Sequence, residues 1–301
     1  MMKKKKDGNA TAEQRLMWDD LRKNINSLVN TVNESNIKKV AEELVSKNNL
    51  IWGRGLFCRS ILKSSVSFPV LVPVFASLVA FVNSKFPDIG YLLLKRILFQ
   101  AKIAYKLNDK IQLLTLGKLL AHLVNQFVAH EIVALEFLFV LLQDPIPTKE
   151  CLEISVSVVK ECGFTLYQGK SKGLCSIFKR FQEIGNLDYP SKCLIKCLLD
   201  IRKSGFLNFP SILPEFDIVE LDDQVTHEIS YSNDIDPEMS LDIFHPNSNL
   251  LTDDEQYNFL HTILQVEEEE HEIDSEETST SDRTEFDVIN LRKNIVPNHN
   301  V

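Results

Sequence analysis

Residues 121–142 read Ala-His-Leu-Val-Asn-Gln-Phe-Val-Ala-His-Glu-Ile-Val-Ala-Leu-Glu-Phe-Leu-Phe-Val-Leu-Leu. No other stretch constrains the fold so tightly. Its apolar residues split at Ala129-His130. Before the split, Leu119, Leu120, Leu123, Val124 and Phe127 recur at helical spacing. After it, Ile132, Val133, Leu135, Phe137, Leu138, Val140, Leu141 and Leu142 wrap almost the whole circumference. A helix that is apolar nearly all round has neighbours on most sides. Glu136 inside this run needs the margin or a partner, because a lone buried carboxylate is costly. The stretch predicts the central hairpin of an all-helical domain.

The rest of the chain supports that class. Thr11-Ala-Glu-Gln14 has the form of a capping box and predicts a helix start there. Trp18, Leu21, Ile25, Leu28 and Val32 then form one apolar stripe. A short helix over Asn36–Val45 follows, and Gly53-Arg-Gly55 is expected to loosen the chain before helical spacing resumes at Leu56. Pro69, Pro73 and Pro87 mark helix entries. Further helices are predicted at Val70–Ser84, Asp88–Leu107, Asp109–Phe127, Ala129–Gln143, Lys149–Leu166, Gly173–Ile184 and Ser191–Lys203. About ten helices with short links and no alternating strand predict an all-α, HEAT-like repeat solenoid. The low counts of ten Gly and eleven Pro also disfavour a turn-rich β protein.

Charge divides the chain. Residues 231–301 hold three basic against eighteen acidic residues, while residues 1–230 hold 30 against 24. The expected organisation is a basic flexible leader at 1–10, a helical repeat domain at 11–210, an extended segment packed on it at 211–265, and an acidic disordered tail at 266–301. Within the last two, 256–265 could add a short helix, 267–277 holds eight acids in eleven residues, and 286–295 starts a helix that Pro297 cuts off. The six cysteines fall in or beside predicted helices, and no secretory signal precedes them, so free thiols are expected. The longest apolar run, Val70–Val82, falls short of the roughly 20 residues that span a bilayer.

Candidate chemistry resolves into structure. Gly169-Lys170-Ser171 resembles a phosphate loop, but five residues separate Gly163 from Gly169 and the preceding segment is helical, so it reads as a turn. His130-Glu131 lacks the second histidine of a zinc-protease helix, and His122 stands across a break. Cys193 and Cys197 share a helix face with no further ligands nearby and are expected to be buried small side chains. Glu215, Asp217, Glu220, Asp222 and Asp223 have no companion nucleophile. No catalysis, cofactor, metal or membrane is expected.

Two surfaces remain. Asp19, Lys23, Asn26, Asn30 and Asn33 recur at i, i+4, i+7, i+11 and i+14, opposite the first apolar stripe. Three asparagines on one helix face cost roughly several tenths of a kcal/mol each in propensity, which a binding role for a polar partner would explain. The second surface is a scattered basic set: Arg54, Arg59 and Lys63, with Arg96, Lys102 and Lys106. It makes RNA the rival partner, though no aromatic interleaving suggests base stacking.

Several strings resemble one family. They are Trp18 followed by Lys23-Asn-Ile-Asn-Ser-Leu-Val-Asn-Thr-Val-Asn33; Gly53-Arg-Gly-Leu-Phe-Cys-Arg-Ser60; Phe86-Pro-Asp-Ile-Gly90 with Leu94-Lys-Arg96; Ala121-His-Leu-Val-Asn-Gln126 with Ala129-His-Glu131; Lys160-Glu-Cys-Gly163; and Leu221-Asp-Asp-Gln-Val-Thr-His227. Collinear over roughly 14–265, they look like nucampholin, the spliceosomal protein built on the middle domain of translation initiation factor 4G. The resemblance implies a non-enzymatic nuclear scaffold that is a monomer outside its complex. Its implied partners are spliceosomal proteins and the DEAD-box helicase of the exon junction complex, which it holds open and inactive. By position, Asp19, Lys23, Asn26, Ser27, Asn30, Thr31 and Asn33 inherit the helicase-binding face, with Arg54, Arg59 and Lys63 as a secondary contact. Thr31 stands where the family pattern usually has Lys, and Ser27 where it often has Gly. A desolvated contact from that cation would be worth about 1.5–3 kcal/mol. Residues 284–295 resemble the opening of the family's second helical domain, so a short form is expected.

Overall fold

The computed structural model describes residues 2–246, with side chains from Thr11 onward. Ten α-helices follow one another: α1 Met2–Thr31, α2 Ile37–Lys47, α3 Leu50–Ser67, α4 Val72–Lys85, α5 Pro87–Leu107, α6 Lys110–Asn125, α7 Glu131–Leu142, α8 Lys149–Gln168, α9 Lys172–Glu183 and α10 Tyr189–Lys203. Among the described residues there is no strand. There is also no single helix long and apolar enough to cross a membrane. The segments 256–265, 267–277 and 286–295 lie outside the described residues.

Local chemistry places most of the ends. Side-chain oxygens of Asn49, Asp109, Thr148, Ser171 and Asp188 accept the backbone amides of Trp52, Gln112, Cys151, Leu174 and Ser191, and so cap α3, α6, α8, α9 and α10. Prolines open α4, α5 and α10, where the missing amide costs nothing. The start of α1 differs from expectation: the helix begins at Met2, ahead of the capping box, and residues 2–10 are helical. Four lysines, Ala10 and Ala12 favour helix, and one glycine does not break it.

Gly53 and Gly55 do not loosen the chain either; α3 runs through both. They permit close approach. A Cβ at Gly53 would lie 2.9 Å from Ile25 Cδ1, and one at Gly55 would run into the carbonyl of Leu241.

The helices stack in two layers. One joins α2, α4, α6, α8 and α10 in sequence; the other joins α1 to α3 to α5, and α7 to α9. This alternation is that of a HEAT-like solenoid. The centre is α6, which touches α3, α4, α5, α7 and α8 and buries Leu113, Leu116, Leu119, Leu120, Leu123 and Val124. Within the second layer α5 and α7 make no comparable contact. The helix α7 is less enclosed than its sequence predicts: Ile132 is exposed, and Phe139 is 65% exposed.

A strap of residues 204–246, with three short 3₁₀ turns, runs back over the helices, meeting α8, α6 and α4 and then α7, α5, α3 and α1. Phe206 packs on Gly163 of α8. The carbonyl of Ser211 accepts from Asn125 Nδ2 of α6 at 2.9 Å. That of Phe216 accepts from Ser77 at 2.7 Å and from Gln126 at 3.0 Å. Asn83 Nδ2 donates to Val225 O at 2.6 Å, which leaves its Oδ1 to accept from His227 Nε2 at 2.7 Å. Ala129 and His227 form a single parallel bridge. Glu136 finds its partners here, accepting from the Ser230 hydroxyl and the Tyr231 amide. Tyr231 lies between α7 and α5, 5.9 Å from the Phe137 ring and 5.4 Å from Lys102 Nζ. Thus the strap fills the place where α5 and α7 fail to meet.

Arg96 corrects the basic set drawn from the sequence. It is 1% exposed, not a surface cation. Its guanidinium donates to the carbonyls of Gly55, Pro237 and Glu238, each at 2.9 Å, and pairs with Asp242 at 2.7 Å. Cys193 and Cys197 are a second correction: both are exposed, on the side of α10 away from buried Ile195 and Leu198. Burial instead claims Cys58 and Cys162, whose thiols it pushes up to about 12.

Two outcomes follow from this packing. Arg96→Met should destabilise the protein by about 3–5 kcal/mol, because Asp242 and three carbonyls lose a buried partner; the urea midpoint measures it. Glu161 of α8 is raised by burial, but the His122 and Lys118 contacts outweigh this and lower it from 4.5 to about 2. A depressed folded-state pKa stabilises above the unfolded value, and that stability fades as pH falls from 4.5 toward 2. Glu161→Gln should therefore be less stable than wild type at neutral pH, with the difference closing toward pH 2 in urea titrations.

Candidate partner-binding face

The apolar stripe of α1 dictates which side faces out. Trp18, Leu21, Ile25, Val29 and Val32 are buried against the neighbouring helices. Lys23, Asn26, Ser27, Asn30, Thr31 and Asn33 are all exposed and Asp19 is half-buried. The face holds donors and acceptors in different states of commitment, and the hydrogen bonds sort them.

Asp19 pairs with Arg22 at 2.9 Å, and Lys23 with Asp20 at 3.1 Å. Exposed pairs within one helix turn are weak, so a partner could replace them at little cost. Asn26 makes no side-chain hydrogen bond among the described residues. Asn30 Oδ1 accepts from the Ser64 hydroxyl of α3 at 3.0 Å, which leaves its amide nitrogen outward. Thr31 turns its hydroxyl back onto the carbonyl of Ser27 at 2.9 Å. A lysine at that place would carry a cation into the last turn, where the helix dipole favours one. Here the last turn of α1 has no basic residue.

Asn33 departs from its expected place. The helix ends at Thr31, so Asn33 lies in the turn between α1 and α2 and not in register with Asn26 and Asn30. Its Oδ1 accepts from the amide and hydroxyl of Ser35 at 3.0 and 2.6 Å, and its Nδ2 reaches Thr31 O at 3.3 Å. Asn36 adds a bond to the same carbonyl at 3.0 Å. These side chains satisfy groups that a helix end leaves open, and they fix the corner of the face.

The secondary set splits as well. Arg59 and Lys63 are exposed one turn apart on α3. Lys63 is next to Ser64, so this cation stands beside the Asn30–Ser64 seam. Arg54 is half-buried and caps the carbonyl of Ile51 at 2.7 Å.

Other sequence candidates take structural places. The Nδ1 of His130 accepts the Ile132 amide at the start of α7. Lys170 adopts a left-handed turn, φ 53°, between α8 and α9, with Ser171 capping the latter. No group of three or more His, Cys, Asp or Glu side chains converges among the described residues. The sequence reading missed the polar set that holds the strap: Ser77, Asn83, Asn125, Gln126 and His227. A signal was present, since Asn83 and Asn125–Gln126 interrupt otherwise apolar runs.

A two-layer α-solenoid that is laced along its length by its own strap, and turns a polar helix face outward, is a helical repeat protein. No family model matches the chain. It is 41% identical over 254 residues to human "Pre-mRNA-splicing factor CWC22 homolog", covering 83% of the chain and 28% of that protein. Schizosaccharomyces pombe "Pre-mRNA-splicing factor cwf22" is 39% identical over 311 residues, covering 96% and 35%. The Xenopus laevis CWC22 homolog is 39% identical over 254 residues, covering 83% and 31%. The chain belongs to the nucampholin family, that of the CWC22 splicing factors. It spans about a third of the length of these relatives.

The two kinds of asparagine should separate in a stability assay. Asn33→Ala should lower stability by about 1 kcal/mol through its lost turn bonds. Asn26→Ala should shift it by less than about 0.5 kcal/mol. Thermal unfolding of the two variants measures both.

Proposed function

We propose that this protein is a nuclear pre-mRNA splicing scaffold without catalytic activity of its own. It binds the DEAD-box helicase of the exon junction complex through the outward face of α1, and brings it to the spliceosome in an open, inactive arrangement. The observation that carries this reading is the exposed row of Asn26, Ser27 and Asn30, flanked by Arg59 and Lys63, in a chain whose relatives are named splicing factors. Amides donate and accept at once, and so suit a partner surface of mixed backbone and side-chain polarity. The turn fixed by Asn33 and Asn36 holds the face in one shape before binding, which reduces the ordering cost. Holding a helicase open needs no chemistry. It requires only that the scaffold bind one arrangement of the two helicase lobes more tightly than the other.

A pull-down with the purified helicase tests the face. Asn30→Asp/Thr31→Glu keeps the acceptor for Ser64 and adds two negative charges, so the fold survives. Recovery should fall by about tenfold or more, as expected when unpaired charge enters a polar interface. Equal recovery of wild type and variant removes α1 from the interface.

A further inference from the structure

Beyond Lys95, α5 carries two parallel rows. Phe99, Ile103 and Leu107 follow at i, i+4 and i+8, with Lys102 and Lys106 beside them. Strap residues 232–235 face these rows, and the two together enclose an open groove of about 370 Å³. That lies within the usual size of ligand pockets, roughly 300–1,000 Å³. Its apolar lining is not closed off: Ile103 is 40% exposed and Leu107, at the end of the ridge, 73%.

The charges along the groove differ in commitment. Lys95 pairs with Glu238, Lys110 with Glu153, and Lys102 donates to Asn233 O at 2.6 Å. Lys106 has no acidic partner among the described residues. On the opposite wall, the backbone amides of Asn233, Asp234 and Ile235 make no backbone hydrogen bond among the described residues. Among the described residues, a cation without an acidic partner, an open apolar floor and a short stretch of main-chain amides without backbone partners therefore stand together.

We propose that this groove docks an extended acidic–apolar segment of a partner protein. Its apolar side chain enters against Phe99, Ile103 and Ile235, its carboxylate meets Lys106, and its main chain runs along the strap in the manner of strand addition. Asp234 on the far wall sets the orientation, since it repels the acidic side of the segment toward α5. Nucleic acid fits less well: Lys102 is already used, Asp234 opposes phosphate, and Phe99 is the one aromatic ring in the lining. This site is separate from α1, so its failure and that of the helicase reading are independent.

The test is a fluorescence-anisotropy titration of a labelled decapeptide alternating Glu with Leu and Phe, using the full chain. The controls are the same peptide with Ser for Leu and Phe, and a ten-nucleotide uridine oligomer. The acidic–apolar peptide alone should bind saturably. Lys106→Glu or Ile103→Ser, both at exposed positions, should weaken it about tenfold, equivalent to 1.4 kcal/mol, and Asp234→Lys should strengthen it. Absence of saturation, equal binding of the serine peptide, preference for the uridine oligomer, or indifference to Ile103 and Lys106 would overturn the proposal.

Discussion

A strap without regular secondary structure can lie against a helical core only if its main-chain polar groups are bonded there. In this protein the helices supply the donors. Ser77, Asn83, Arg96, Asn125 and Gln126 are among its few buried polar side chains, and each donates to a strap carbonyl. Each party supplies what the other needs, since a buried amide or guanidinium is as costly to leave unpaired as a buried carbonyl. The strap and the solenoid are one cooperative unit for that reason.

The same interaction explains the break in the second layer. A regular repeat would stack α7 on α5, and here Tyr231 stands between them with its neighbours bonded to Glu136 and Lys102. The carboxylate that looked misplaced in an apolar helix is the anchor for that insertion. At the far end, Phe244 reaches within 6.4 Å of the Trp18 ring, so the strap touches first and last helices alike.

Helices were legible because apolar spacing, caps and prolines are local signals, and the helices predicted from α2 to α10 end within a few residues of their places. What escaped the reading is long-range. Arg96 looks like a surface cation until Asp242, far along the chain, is brought beside it. Gly53 and Gly55 look like a hinge until Ile25 and Leu241 are seen to need the space. Cys193 and Cys197 look like core by residue type, and only the orientation of α10 turns them outward. On the candidate face, spacing found Asn26 and Asn30, but it carried the helix two residues too far and counted Asn33 among them.

The strings that carry the family resemblance mostly encode the lacing, not the face. Phe86–Gly90 and Leu94–Arg96 surround the Asn83 and Arg96 anchors, Ala121–Gln126 holds two strap donors, and Leu221–His227 is strap itself. Gly90 belongs to this set because any Cβ there would strike Asn83 Oδ1. Such residues answer to the fold, and each would be costly to change whatever the protein binds. The outer face of α1 is under no such constraint, since exposed substitutions shift stability little. Ser27 and Thr31 are both exposed there and lie where the fold leaves the sequence free.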